Sequence, residues 1–172
     1  MSNAFAECNK IGMKGEAVID FLLRRYYNRV EETEKNIEKQ LELADFVIPQ
    51  SESLGIKREI IEVKTEEKWT GNLFFETVSN EGIDRAGWAF TSTADTFYYL
   101  FWDKAIAYRI PDFQAVMWNF DYCKNSFPER PHCKRIQHNK SKGKLVPIEW
   151  VMECYGASSF SFQKAKDKLY SS

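Results

Sequence analysis

The sequence lacks the segments by which a membrane or secreted protein is recognised. Its longest aromatic-rich run, at 97–102, is far shorter than the roughly 20 apolar residues that cross a bilayer. The first 16 residues contain no apolar core of the kind found in a signal peptide. We therefore expect a cytoplasmic protein with no membrane partner.

Cysteine and histidine are also scarce. The four cysteines are irregularly spaced and form no CxxC pair, which favours free thiols in a reducing compartment. The two histidines both lie in one basic segment, so Ser-His-Asp or Cys-His catalysis is not indicated, and no P-loop motif is present. A zinc site without paired-ligand spacing stays an alternative. Its candidate ligands are Cys123, His132, Cys133, His138 and Cys154.

The net charge of −1 hides an uneven distribution. Residues 1–123 carry 14 basic and 21 acidic side chains, whereas residues 124–144 carry seven basic and one acidic. This basic segment, which includes Lys134 and Arg135, is predicted to line a path for phosphates. The alternative is an ordinary solvated loop.

The hydrophobic pattern predicts a helix at 15–27, with Glu16 in its first turn. The acid-rich stretch 30–41 is compatible with a longer helix or with a short strand and turn. Strands are predicted at 43–48, 58–65, 72–78, 88–92, 96–102, 105–110 and 145–154, with the first two forming an antiparallel pair across the turn at 50–57.

A second helix is expected to begin at Pro111, because apolar residues then recur at helical spacing and form a core stripe. This stripe consists of Phe113, Val116, Met117 and Phe120. The order of elements predicts an α/β or α+β fold with a mixed central sheet flanked by helices. We expect one domain over 1–172, with its core at 12–122 and a basic loop and tail at 123–172.

The segment 58–65 (REIIEVKT) is the most informative stretch. Alternation along a strand turns Glu62 and Lys64 to the same face, and a buried charge there needs a partner or a purpose. Asp45, on the preceding apolar strand, is expected to converge with Glu62. Two carboxylates about 4 Å apart repel by about 4 kcal/mol at an effective dielectric of 20. A Mg²⁺ ion held by both and by a backbone carbonyl would offset this repulsion, and a metal-free buried salt bridge is the alternative.

These residues resemble the motif of the PD-(D/E)xK, or restriction-endonuclease-like, nuclease superfamily. In that motif an acid on one strand is followed by acid-x-Lys on the next, often with a glutamate on the first helix. Asp45, the triplet Glu62-Val63-Lys64 and Glu16 match it, whereas Ala44 replaces the motif's proline. The resemblance covers 12–110, and the segments TGNLFFE (70–76) and GWAFTSTAD (87–95) are similar to segments of phage-borne or prophage-borne members.

The resemblance implies a restriction-endonuclease-like fold and a Mg²⁺- or Mn²⁺-dependent hydrolase that cleaves DNA phosphodiesters as an endonuclease or exonuclease. Asp45, Glu62 and the Val63 carbonyl would bind the metal, Glu16 would add or orient a ligand, and Lys64 would serve the nucleophile. The expected setting is the cytoplasm of a bacterium or a phage-infected cell, and a homodimer is possible. Candidate substrate-binding residues are Lys14, Glu76, Ser92, Asp95, Lys134 and Arg135.

Each of these assignments has an alternative. Glu16 could simply favour the positive end of its helix dipole, and Glu76 could be a surface residue. Trp88 could contact substrate, but its aromatic side chain favours core packing. The alternative function is a non-catalytic DNA-binding or inhibitory phage protein on a nuclease scaffold.

Overall fold

The computed structural model describes residues 3–27, 30–32, 45–131 and 141–171. Five helices lie in these ranges: α1 (Asn3–Tyr26), α2 (Trp88–Thr91), α3 (Phe113–Cys123), α4 (Ile148–Tyr155) and α5 (Gln163–Tyr170). The strands there are β1 (Glu31–Glu32), β2 (Phe46–Ile48), β3 (Glu59–Glu66), β4 (Asn72–Asn80), β5 (Arg85–Ala86), β6 (Thr96–Phe101), β7 (Ile106–Ile110), β8 (Glu129–Pro131), β9 (Lys142–Pro147) and β10 (Ser158–Ser161). None of the helices in these ranges is both long and apolar enough to cross a membrane.

The larger sheet is mixed and has the strand order β1-β2-β3-β6-β7-β10. Strands β3 and β6 run parallel, and every other neighbouring pair is antiparallel. The predicted antiparallel pairing of 43–48 with 58–65 is confirmed for Phe46–Ile48, with Phe46 opposite Ile61, whereas residues 43 and 44 lie outside the described ranges. A second, antiparallel sheet has the order β5-β4-β9-β8. The protein is therefore an α+β structure with a mixed sheet flanked by helices.

Alternation along β3 divides the core into two parts. Ile61 and Val63 pack on one face with Val18 of α1 and Phe162 before α5. Ile60 faces the other way, into a cluster that contains Phe75 of β4 and the α3 stripe predicted from the sequence. The even-numbered positions of β3, which include Glu62 and Lys64, thus face the layer built by the second sheet and α3.

Two predicted strands are wrong, at least in part. Residues 88–91 form α2, because Gly87 packs so closely against the Glu76 backbone that the chain turns there. The predicted strand at 145–154 ends at Pro147, which has no N–H for the ladder and starts α4. Gly156, with φ of 62°, then closes that helix.

Other elements differ from the prediction in extent or partner. Helix α1 begins before the predicted 15–27, and β1 lies in the stretch 30–41 that the sequence left open. The strand predicted at 72–78 exists, but it pairs with β9 in the second sheet. Strand β10 and helix α5 were not predicted at all.

Candidate functional site

Asp45 ends the hydrogen-bonded ladder between β2 and β3. It precedes β2, opposite Glu62 in register, and its Oδ2 accepts a hydrogen bond from the Val63 N–H at 2.6 Å. The N–H and the carbonyl of Ile60 both hydrogen-bond to Asp95, on the β6 side of β3. Because these groups alternate in direction along a strand, the N–H and carbonyl of odd-numbered residues of β3 point toward β2. The Val63 carbonyl therefore lies on the side of Asp45, as a shared metal site would require.

Glu62 and Lys64 form an ion pair on one face of β3. The Lys64 Nζ donates to Glu62 Oε1, and the two side chains are 34% and 12% exposed, respectively. Burial acts to lower the pKa of Lys64. The carboxylates of Glu62, Asp45 and Glu16 together raise it by more than burial lowers it, so the pKa of Lys64 lies above its ordinary value. Lys64 is therefore an ammonium ion, and the structure brings all three carboxylates near it.

Glu16 reaches this group because α1 packs very closely on β3. A Cβ added at Gly15 would overlap the Thr65 side chain, so only glycine allows this approach. The Thr65 hydroxyl is buried and has no hydrogen-bond partner among the described residues. Glu16 stands in the middle of α1 and not in its first turn, so the alternative role at the positive end of the helix dipole is wrong.

Glu76 joins the group from the second sheet. Its carboxylate accepts hydrogen bonds from the Trp88 backbone N–H and the Ser141 side chain, and it also feels the charge of Lys64. Burial raises the pKa of Glu76, although these partners act to lower it. Glu76 is half-buried. The predicted site residue thus faces Lys64.

Trp88 packs against the core, as the sequence favoured, and its ring also borders Lys64. Its ring stacks on Phe97, with centroids 5.0 Å apart, and the Lys64 Nζ lies 5.8 Å from its centroid. The indole therefore forms a wall of the site as well as part of the core.

Two neighbours of the site were not identified from the sequence. Glu66 follows Glu62 and Lys64 on the same face of β3, a period-two signal that was available. It accepts a hydrogen bond from the Tyr99 hydroxyl, and burial raises its pKa. Ser141 lies within the basic segment 124–144, and no local pattern marks it.

The other predicted substrate-binding residues that the structure describes have partners outside this group. Asp95 accepts a hydrogen bond from the Ile60 N–H at 2.8 Å, at the opposite end of β3, roughly 13 Å along the strand from Lys64. Ser92 accepts one from the Ala94 N–H at 3.3 Å. Lys14 contacts the rings of Trp102 and Tyr170. Lys134 and Arg135 lie outside the described residues.

Carboxylates and a backbone carbonyl are the groups of this site that could hold a cation. Among the described residues, no three His, Cys, Asp or Glu side chains are grouped so as to hold a metal ion. Asp45, Glu62 and the Val63 carbonyl nevertheless match Mg²⁺, which is commonly bound by one or two carboxylates together with waters and substrate phosphates. For the zinc alternative, Cys123 and Cys154 are free thiols, and the remaining candidate ligands lie outside the described ranges.

Comparisons of the chain with protein-family models, with curated proteins and with solved structures give no match. The function is therefore inferred from the chemistry of these side chains.

Proposed function

We propose that the protein is a metal-dependent nuclease that hydrolyses DNA phosphodiester bonds. The observation that carries the proposal is the convergence of Glu16, Asp45 and Glu62 around Lys64, beside the backbone of Val63. Residues of these types, on a first helix and two neighbouring strands, are what the PD-(D/E)xK motif requires. The mixed sheet with α1 packed on β3 supports a restriction-endonuclease-like fold as part of the same proposal.

Asp45, Glu62 and the Val63 carbonyl would bind Mg²⁺ or Mn²⁺, and Glu16 would orient or complete the ligand set. When bound, the cation would polarise the phosphate and lower the pKa of an attacking water. The Asp45 carboxylate accepts a hydrogen bond from the Val63 N–H, which holds it next to β3, where it would bind the cation.

Lys64 would act as a hydrogen-bond donor and a positive charge. Its ammonium group has three protons, of which Glu62 takes one, so it can also orient the attacking water and stabilise charge that grows on the phosphate oxygens. Trp88 and Glu76 limit its movement from the second-sheet side. DNA as substrate, homodimerisation and a cytoplasmic location stay predictions from the sequence.

One observation favours the alternative of a non-catalytic protein on the same scaffold. The ion pair between Lys64 and Glu62 already compensates part of the acidic charge with no cation. Such a protein would bind DNA or inhibit a partner without cleaving a phosphodiester. Calorimetric titration with Mn²⁺ separates the two functions, because only the nuclease requires Asp45-dependent metal binding.

The decisive test compares two aspartates, Asp45 and Asp95, that each accept a hydrogen bond from a backbone N–H of β3. Labelled duplex, flap, junction and single-stranded DNA are incubated with Mg²⁺ or Mn²⁺ and with wild type, Asp45→Asn or Asp95→Asn. Asparagine keeps an acceptor for the β3 N–H in both variants but removes the charge. We expect cleavage by wild type and Asp95→Asn, and a loss of about 100-fold or more for Asp45→Asn.

Thermal unfolding of both variants checks that each is folded. Absence of cleavage of every DNA by the wild type, or full activity of folded Asp45→Asn, would overturn the nuclease proposal.

A further inference from the structure

A group of lysines and aromatic rings lies between α1 and α5. Lys14 Nζ is 5.3 Å from the Trp102 ring centroid and 5.6 Å from that of Tyr170, and Lys166 Nζ is 4.7 Å from the same Trp102 centroid. Lys168 Nζ lies 5.2 Å from the Phe21 centroid. We call this surface the lysine patch. It consists of Lys14, Phe21, Trp102, Lys166, Lys168 and Tyr170.

The lysine patch has an excess of positive charge. Two ammonium groups share one indole ring, and among the described residues none of Lys14, Lys166 and Lys168 is paired with a carboxylate. The nearby carboxylates have other partners, since Asp103 accepts from the Trp69 N–H at 2.9 Å and Asp167 from Gln163 Nε2 at 2.6 Å. Like charges this close favour an external anion.

The lysine patch adjoins the candidate site. The Trp102 N–H donates to the Glu66 carbonyl at 2.8 Å, which places the ring at the exit of β3, about 7 Å along the strand from Lys64. Lys14 precedes Glu16 by two residues on α1, and Gly15 between them contacts Thr65. Trp102 packs on the α1 face of β3, opposite the face of Lys64, so DNA bound at Lys64 reaches the patch around the end of β3 where Gly15 meets Thr65.

We infer that the lysine patch binds the phosphate backbone of duplex DNA that flanks the scissile bond. This inference rests on the proposed nuclease function and extends it with a surface for the flanking DNA. Lysine is a common point-charge ligand of phosphate, and the rings hold the lysine stems in place at the surface. A row of such ammonium groups matches the repeating anion of a nucleic-acid backbone, which supplies most of the affinity of such complexes.

The test measures binding of a labelled DNA duplex by fluorescence anisotropy, with Ca²⁺ in place of Mg²⁺, between about 50 and 200 mM salt. The test variant is Lys14→Gln/Lys168→Gln. The matched control is Lys57→Gln/Arg58→Gln, which removes two exposed positive charges at the opposite end of β3. We expect the slope of log affinity against log salt to become shallower by about 2 in the test variant only, because each phosphate contact contributes about 0.9.

A charge-keeping variant, Lys14→Arg/Lys168→Arg, should retain the wild-type slope and shows that lost packing is not the cause. An unchanged slope in the test variant, or an equal change in the control, overturns the inference. Unchanged DNA binding with lost binding to vesicles of anionic lipid would assign the patch to a membrane surface and overturn it as well.

Cleavage assays run in parallel separate the two proposals. If the wild type cleaves no DNA but the salt slope of the test variant is shallower, the patch is still a DNA-binding surface and the nuclease proposal is contradicted. Asp45-dependent cleavage with an unchanged slope supports the nuclease and contradicts the patch.

Discussion

The two ends of β3 use the same device in different electrostatic surroundings. At one end Asp95, before β6, accepts a hydrogen bond from the Ile60 N–H. Past the middle of the strand, toward its other end, Asp45, before β2, accepts one from the Val63 N–H. Each aspartate stands where a neighbouring strand begins, and its carboxylate satisfies a backbone donor of β3.

The charges at the Asp95 end have partners within the protein. Glu59 accepts hydrogen bonds from the Thr96 hydroxyl and from Arg109 Nη2, the latter at 3.0 Å. The side chains of Tyr98 and Arg109 are also hydrogen-bonded to each other. This end is a satisfied network that links β3, β6 and β7.

The Asp45 end has three carboxylates and one ammonium group, and Glu76 adds a fourth acid from β4. This difference shows that an aspartate that accepts a backbone hydrogen bond does not by itself indicate a functional site. The surrounding charge distinguishes a structural network from a candidate site, because only at the Asp45 end do several acids act on one ammonium group.

The largest effect on stability is expected for Lys64→Met. This change leaves three carboxylates without their ammonium, and we expect a loss of about 1 to 3 kcal/mol in the free energy of unfolding, reduced from the value for a fully buried pair because Lys64 is partly exposed. Urea unfolding at low salt measures it. Ca²⁺ should restore part of the loss, since a divalent cation can replace the missing charge.

Arg109→Met is the control for that prediction. It breaks the ion pair with Glu59 at the opposite end, where fewer acids converge, so Ca²⁺ should not stabilise it. If Ca²⁺ stabilises both variants equally, or does not stabilise Lys64→Met, the electrostatic difference between the two ends of β3 is contradicted.

The next effect concerns the approach of α1 to the Asp45 end. Gly15→Ala should destabilise the protein by about 1 to 3 kcal/mol and reduce cleavage, because the new methyl overlaps Thr65 and moves Glu16. Gly12→Ala, whose Cβ would come no closer than 4.0 Å to Glu16 Oε1, should be neutral or stabilise by up to about 1 kcal/mol. Thermal unfolding of both variants provides the measurement.

The double variant Gly15→Ala/Thr65→Ala should recover part of the loss, because it removes the Thr65 hydroxyl and methyl but keeps the Cβ, which the new methyl would meet at 2.9 Å. If Gly15→Ala alone is as stable as wild type, the close packing of α1 on β3 is not as described.

The smallest effect is a pH dependence at Glu66, just beyond the site. Burial raises its pKa in the folded protein above the ordinary value of 4.5. Its contribution to stability is therefore complete below that value and is lost as pH rises through the folded pKa. Glu66→Gln removes this titration, so wild type should lose stability relative to the variant from about pH 4.5 upward. Urea titrations across this range test the sign, and an opposite trend would contradict it.

Much of the site was predictable because its signals are local. Alternation along 58–65 placed Glu62 and Lys64 on one face, and the turn at 50–57 brought the strand after Asp45 alongside. The stripe of Phe113, Val116, Met117 and Phe120 was confirmed as buried, since helical periodicity depends only on neighbouring residues.

Errors occurred where distant contacts override local preference. The β-prone residues 88–91 became helical because Gly87 lies against Glu76 and the Trp88 N–H bonds the Glu76 carboxylate. At Pro147 and Gly156 the helix signals were present, but the apolar run between them was interpreted as a strand.

The sequence alone determined the period of β3 and α3, the face on which Glu62 and Lys64 lie and the order of the acidic and basic residues. Only the tertiary structure decided that β4 joins a second sheet, that Glu76 turns toward Lys64 and that α5 brings its lysines to Trp102. The physical reason is that periodicity is a property of a short segment, whereas the meeting of two faces depends on packing between residues far apart in the chain.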